Sequence, residues 1–285
     1  MNADIRGEHD AIVHYLMHAW TVAEVYGPQI EAIAKDEMQH LKWLAHSVVH
    51  MRGIPDFSPR QAESANDLKA ALIQSIAAED AAIAQYEDHI RQIPDKRVQD
   101  LLRRIVVDEK DHRRQFEEMS VRAEDQARDD PPTSTPEIAQ NLQSLLAYEY
   151  GQVLEFLFRY FVEQHDTIIG MDDEDRAIEA MKHLGWIAES LVTLGSTPSW
   201  LTLGHQNGFA HESHDEFKAY ERVAEWAQKV SPAMLPTLRR IIAHEQYHNL
   251  AIHSRLLTVG SLKESRKDSL QLDVSQERQS QERKD

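Results

Sequence analysis

Apolar residues recur every three to four positions along most of this chain, the spacing of helices with one buried face. The first predicted helix runs over about residues 6–25, with Glu8, Ile12, Tyr15 and Ala19 on one narrow face and Gly27-Pro28 as its stop. A second, over about 29–51, carries Glu37 and His40 close to Ile33, Leu44 and Val48. The stretch Gly53 to Arg60 is too long and too rich in proline for a tight hairpin. A third helix follows over about 66–93, with Asn66 or Asp67 as N-cap and Glu79, Ile83, Tyr86 and Ile90 in line. Pro94-Asp95 breaks the chain, and a fourth helix over about 96–123 turns Leu101, Leu102, Ile105, Glu109, His112 and Phe116 inward. Carboxylates thus fall on the apolar faces of four consecutive helices.

The second half repeats the first. Glu149 falls where Glu8 does, with Phe156 at the place of Tyr15, and the string from His183 through Trp186 follows that from His40 through Trp43. Tyr220-Glu221 parallels Tyr86-Glu87, and Leu238 through Glu245 to His248 parallels Leu102 through Glu109 to His112. The expected fold is all-α, two tandem four-helix bundles over residues 1–126 and 134–258, joined by a linker at 127–133 and followed by a disordered tail at 259–285.

Composition narrows the chemistry. The 285 residues include 41% hydrophobic side chains, enough for a substantial core, and no run approaches the length of a membrane span. The N-terminus is charged from its fourth residue and has no apolar signal core, so the expected location is cytoplasmic. Lys and Arg number 31 against 48 Asp and Glu, a net charge of −17 that argues against nucleic acid as a partner. Cysteine is absent, which leaves no disulfide, no thiolate nucleophile and no sulfur-ligated metal. Any metal must be held by imidazole and carboxylate.

That donor set is arranged for two ions. Glu37-Met-Gln-His40 and Glu109-Lys-Asp-His112 each place a carboxylate and an imidazole on one helix face, and Glu8 and Glu79 add one carboxylate each from the alternating helices. Buried carboxylates without counter-charge are very costly, so bound cations account for this pattern better than core packing does. Tyr15 and Tyr86, each seven residues after a candidate ligand, lie where a phenol can donate to a carboxylate of a neighbouring helix. Asp36 and Asp108 lie where each can accept from the free ring N–H of the opposite histidine.

Glu8, Asp36-Glu37-x-x-His40, Glu79 and Asp108-Glu109-x-x-His112 together resemble the ferritin-like di-iron carboxylate superfamily, nearest bacterioferritin and the rubrerythrin di-iron domain. The long connection after the second helix also matches that fold. The resemblance implies two Fe ions, with Mn or a mixed Mn/Fe pair as the alternative, in an oxidoreductase that reacts with hydrogen peroxide or dioxygen as a peroxidase or ferroxidase. Two departures stand out. Ala82 replaces an additional Glu of rubrerythrin, and without cysteines a rubredoxin-type tail is missing, so a peroxidase here needs a separate electron donor. Iron oxidation and sequestration, a di-metal oxygenase, a manganese catalase on the same scaffold and a non-catalytic helical module stay open beside it.

In the second half Glu149, His183, Glu245 and His248 are kept, but Ala180 stands at the Glu37 position and Ser213 at the Glu79 position. The loss of two carboxylates is expected to abolish a two-metal site, leaving a degenerate bundle kept for packing or a residual site for one ion. Ferritin-like domains pair along helix faces; the second copy can supply that surface internally, and a homo-oligomer stays open. Leu257 to Lys263 resembles the peptides that load cargo into encapsulin shells, which adds a shell protein as a candidate partner. The plain reading of that segment is a helix end capped by Gly260.

Overall fold

The computed structural model describes residues 1–21, 25–61, 65, 67–123, 136–162, 167–199, 214–230 and 232–246. They form α1 (Asn2–Thr21), α2 (Gly27–His50), α3 (Leu68–Gln92), α4 (Lys96–Arg122), α5 (Pro136–Val162), α6 (Thr167–Thr193) and α7 (His214–Val230), then a 3-10 turn at Pro232–Met234 and a helical run at 235–246. No strand occurs among the described residues, and no helix is long and apolar enough to cross a membrane. The 127–133 linker, residues 257–263 and the 259–285 tail lie outside the described residues.

The chain divides into two compact units, Met1–Ala219 and Tyr220–Asp285. In the first, α1 packs on α2 and α3 on α4, and the two pairs close into a four-helix bundle through α1 with α3 and α2 with α4. Its core is a continuous cluster around Tyr15, Ile30, Ile33, Leu72 and Phe116, with Leu44, Leu102 and Ile105 also fully buried. In the second unit Tyr220, Val223 and Ala227 on α7 are buried, as are Leu238 and Ile241 in the run that follows. That is helical spacing again.

Local chemistry sets the helix ends. Asp67 caps α3 by accepting from Ala70 N–H at 2.7 Å, and Asp95 caps α4 by accepting from Arg97 N–H at 2.8 Å. Gly27-Pro28 does not close α1 as the spacing suggested; it opens α2, with proline in the first turn where its missing N–H costs nothing. A Cβ on Gly27 would stand 3.1 Å from the Ala19 carbonyl oxygen, so glycine lets α2 start hard against α1. The connection from α2 to α3 is pinned to α1, with Asn2 donating to the Ile54 carbonyl and Arg6 pairing with Asp56 at 2.9 Å.

Helices α5 and α6 pack on each other and lie against α1 and α2. Phe161 meets His46 edge-on at 4.9 Å and Phe57 at 5.5 Å, and Lys42 pairs with Glu174. The α1–α2 pair is therefore covered on both sides, by α3–α4 and by α5–α6.

Candidate metal centre

Each helix of the first bundle delivers its candidate ligands from a buried face. Glu8, Glu37, His40, Glu79, Glu109 and His112 are all at most 4% exposed, a rare condition for six ionisable side chains. Their atoms converge as two overlapping groups: Glu8, Glu37, His40 and Glu109 in one, Glu37, Glu79, Glu109 and His112 in the other. Within each group one donor atom per residue lies within 4.8 Å of the others. Glu37 and Glu109 belong to both.

The histidines face the middle with Nδ1. His40 Nδ1 lies 2.8 Å from Glu37 Oε2, 3.1 Å from Glu109 Oε1 and 3.7 Å from Glu8 Oε2. His112 Nδ1 lies 2.9 Å from Glu37 Oε1 and 3.9 Å from Glu109 Oε2. Outward, His40 Nε2 meets Asp108 Oδ2 at 3.2 Å, and His112 Nε2 stands 3.4 Å from Asp36 Oδ2. Each aspartate serves the histidine of the opposite helix, an arrangement that fixes ring orientation and raises the basicity of the inward nitrogen. Arg104, one turn before Asp108, holds that carboxylate in turn. The tyrosines cross over in the same way: Tyr15 donates to Glu79 Oε1 at 2.6 Å, and Tyr86 donates to Glu8.

Charge is poorly settled in the metal-free cluster. Burial, then the Glu37 charge, pushes Glu8 up to about 8; burial and the adjoining Glu109 push Glu79 up to about 11. Burial and the charges of Glu8 and Glu37 raise Glu109 to about 7. Burial would raise Glu37 as well, but the imidazoles of His112 and His40 hold it down to about 2. Burial opposes the charged form of both histidines, yet the carboxylates around them raise both. Bound cations would compete with protons for these carboxylates.

Three ligand-type atoms remain buried without a hydrogen bond: Glu37 Oε1, Glu109 Oε1 and His112 Nδ1. The first and last approach each other closely but are not aligned to bond. Unmet donors and acceptors of this kind are expensive in a core. They belong to the two residues shared by both groups and to one imidazole, so the donor set fits a pair of cations. Four carboxylate charges also match two divalent ions.

Of the second-half candidates, Glu149 and His183 meet between α5 and α6. Glu149 and His183 are both 1% exposed, with His183 Nδ1 at 3.2 Å from Glu149 Oε1, and Ala180 is buried one turn before His183. Glu245 lies in the helical run of the second unit, half-buried, and His248 and Ser213 lie outside the described residues. Sequence reasoning missed Arg104, though its spacing of four residues from Asp108 on one helix could have flagged the pair. It also missed His9 and Tyr150, whose rings meet from α1 and α5 with Tyr150 Oη 2.9 Å from His9 Nε2.

Residues 1–124 match the family model of the ferritin-like domain, the segment that builds α1–α4. This part of the chain is a ferritin-like bundle with a buried Glu/His cluster consistent with a two-metal site, and a second helical region follows it. No curated protein and no solved structure matches the chain.

Proposed function

We propose that the first bundle is a non-haem di-iron oxidoreductase centre acting on hydrogen peroxide or dioxygen. The observation that carries this reading is the pair of overlapping ligand groups sharing Glu37 and Glu109. In it, Glu8 with His40 and Glu79 with His112 would each complete one metal position, and Glu37 and Glu109 would belong to both. Iron held there supplies redox and Lewis-acid chemistry, cycling between ferrous and ferric states as the oxidant is reduced.

The chain's own groups do the rest. Asp108 and Asp36 keep the imidazoles in the tautomer that leaves Nδ1 free for the centre. Tyr15 and Tyr86 hold Glu79 and Glu8 by one oxygen each, which leaves the second oxygen of each carboxylate to bind or to carry a proton. The packing of Phe116, Ile33 and Ile105 excludes water. Cysteine is absent, so no thiol of this chain carries reducing equivalents, and a peroxidase reaction here draws them from a separate donor.

The likeness of α5–α6 to α1–α2 supports an internal duplication. His183 packs at a tilt against Trp186 at 5.9 Å as His40 does against Trp43 at 5.7 Å, and Glu149 meets His183.

Stopped-flow absorbance of the anaerobically iron-loaded protein tests the reading. Rapid oxidation by peroxide in preference to dioxygen, without further iron uptake, is the expected result. Oxidation of many irons per chain would instead favour sequestration, and no iron-dependent absorbance would remove the oxidoreductase reading.

A further inference from the structure

On the face of α1–α2 turned away from the carboxylate cluster, a cavity of about 610 Å³ lies against α5 and α6. Its wall is mainly aliphatic and aromatic, including Ile12, Leu16, Leu157 and Trp186. Volume and lining are those of a small-molecule site.

One polar group in this wall has unfinished business. His9 lines the cavity, is 6% exposed, and its Nδ1 is buried without a hydrogen-bond partner. The other nitrogen is committed: Tyr150 Oη lies 2.9 Å from His9 Nε2. Tyr150 oxygen also accepts from Arg60 N–H at 2.7 Å, while the Arg60 carbonyl is a more distant 3.4 Å from it. We assign the Tyr150 hydrogen to His9 Nε2, a nearer acceptor than the Arg60 carbonyl, which makes Nε2 the acceptor and leaves the ring proton on Nδ1. A buried N–H with no acceptor is rare in folded proteins. The lysines of the lining are offset by glutamates, Lys42 being paired with Glu174, so the wall carries no surplus charge for an ionic ligand.

We propose that this cavity binds an uncharged apolar molecule bearing one carbonyl-type oxygen, which accepts from His9 Nδ1–H while its hydrocarbon part fills the space between the helix pairs. This site is separate from the carboxylate cluster and does not depend on metal.

The test uses the full chain and three probes of one length: 2-undecanone, undecane and 2-undecanol. Binding is followed by the fluorescence of Trp20 and Trp186, both in the lining, and by thermal shift. The ketone is expected to bind about tenfold more tightly than the alkane, the worth of one buried hydrogen bond. His9→Phe should bring that ratio close to one, and Leu157→Trp, which fills the cavity, should abolish binding of every probe. Equal affinities for ketone and alkane in the unaltered protein would overturn the proposal. So would a preference for the alcohol over the ketone, a ratio unchanged by His9→Phe, or binding that survives Leu157→Trp. Should His9→Phe fail to fold, the ketone-to-alkane ratio and the Leu157→Trp result still decide.

Discussion

Helices α1–α2 and α5–α6 begin from matching residues and arrive at different chemistry. In the first pair Glu8 and His40 stand with Glu37, and a tyrosine seven residues after Glu8 reaches across to a carboxylate of α3. In the second, Glu149 and His183 still touch, but Ala180 occupies the shared-carboxylate position and Phe156 has no hydroxyl to donate. Arg176 lies over the Phe156 ring at 4.0 Å instead. A two-metal cluster is a collective object: with Ala180 at the Glu37 position, α5–α6 offer Glu149 and His183 but no carboxylate at the place of that shared ligand. Between the two helix pairs a methyl group at Ala180 replaces a carboxylate, and a phenyl ring at Phe156 replaces a phenol.

The sharpest way to break the comparison is to make the first region like the second. Glu37→Ala should remove the bound metal pair, because both positions lose a ligand at once. Metal analysis of protein loaded anaerobically with ferrous iron should find less than one ion per chain. Oxidation by peroxide should slow at least ~100-fold, beyond what loss of a supporting residue does. Retention of both ions would mean that Glu37 is not shared.

The converse change restores the missing group. Ala180→Glu places a carboxylate one turn before His183 on the same face of α6. In metal-free buffer it buries a charge without a cation, and the expected loss is about 3 kcal/mol in urea denaturation. Added ferrous or zinc ion should recover much of that loss. A variant as stable as the parent without metal would show that this position is open to water, contrary to its burial.

Much of this contrast is readable from the letters, and the reason is geometric. Glu37 with His40, and Glu109 with His112, fall at three-residue spacing on faces otherwise filled by Ile33, Leu44, Leu102 and Ile105, and a polar pair on an apolar stripe announces itself. The cap at Asp67 is equally local. Gly27-Pro28 reads as a stop from spacing alone because the pair can end one helix or begin the next, and only the close approach to Ala19 decides. That the second copy covers a helix face is expected from the sequence, but which residues meet there was hidden for a different cause. His9 lies off the Glu8 face, so nothing in its own turn distinguishes it; its role comes from Tyr150, 141 positions away. Spacing reports what one helix does with itself. It is silent on which neighbour answers.

Acid should separate the two regions further. His18 on α1 is 1% exposed, and burial, followed by the charge of His14, lowers its pKa to about 4 from 6.5. Arg159, in the corresponding place on α5, is partly exposed and pairs with Asp173 at 3.4 Å. Between pH 6.5 and 4 the unfolded chain binds a proton at His18 that the folded chain refuses. This contribution to stability is complete above 6.5 and falls as pH drops through that window, by about 2 kcal/mol at pH 5. The raised Glu8 and Glu79 act with the opposite sign, so the measurement is a difference: urea midpoints of the parent and His18→Leu at about pH 7.5 and 5. The variant should lose less on acidification. Equal losses would show that His18 is protonated in the fold.

The smallest effect tests how the first region is tied together. Tyr15 serves Glu79 and Tyr86 serves Glu8, so each phenol supports the carboxylate of the other helix rather than that of its own. Tyr15→Phe and Tyr86→Phe should each cost about 1 to 2 kcal/mol in the metal-free protein, and each should weaken metal binding about tenfold. A double-mutant cycle gives the sharper result. Tyr15→Phe should couple to Glu79→Gln and not to Glu8→Gln, and Tyr86→Phe should show the reverse. If Tyr15 coupled to Glu8 instead, the crossed pairing would be wrong, and with it the idea that the two helix pairs of the bundle brace each other's ligands.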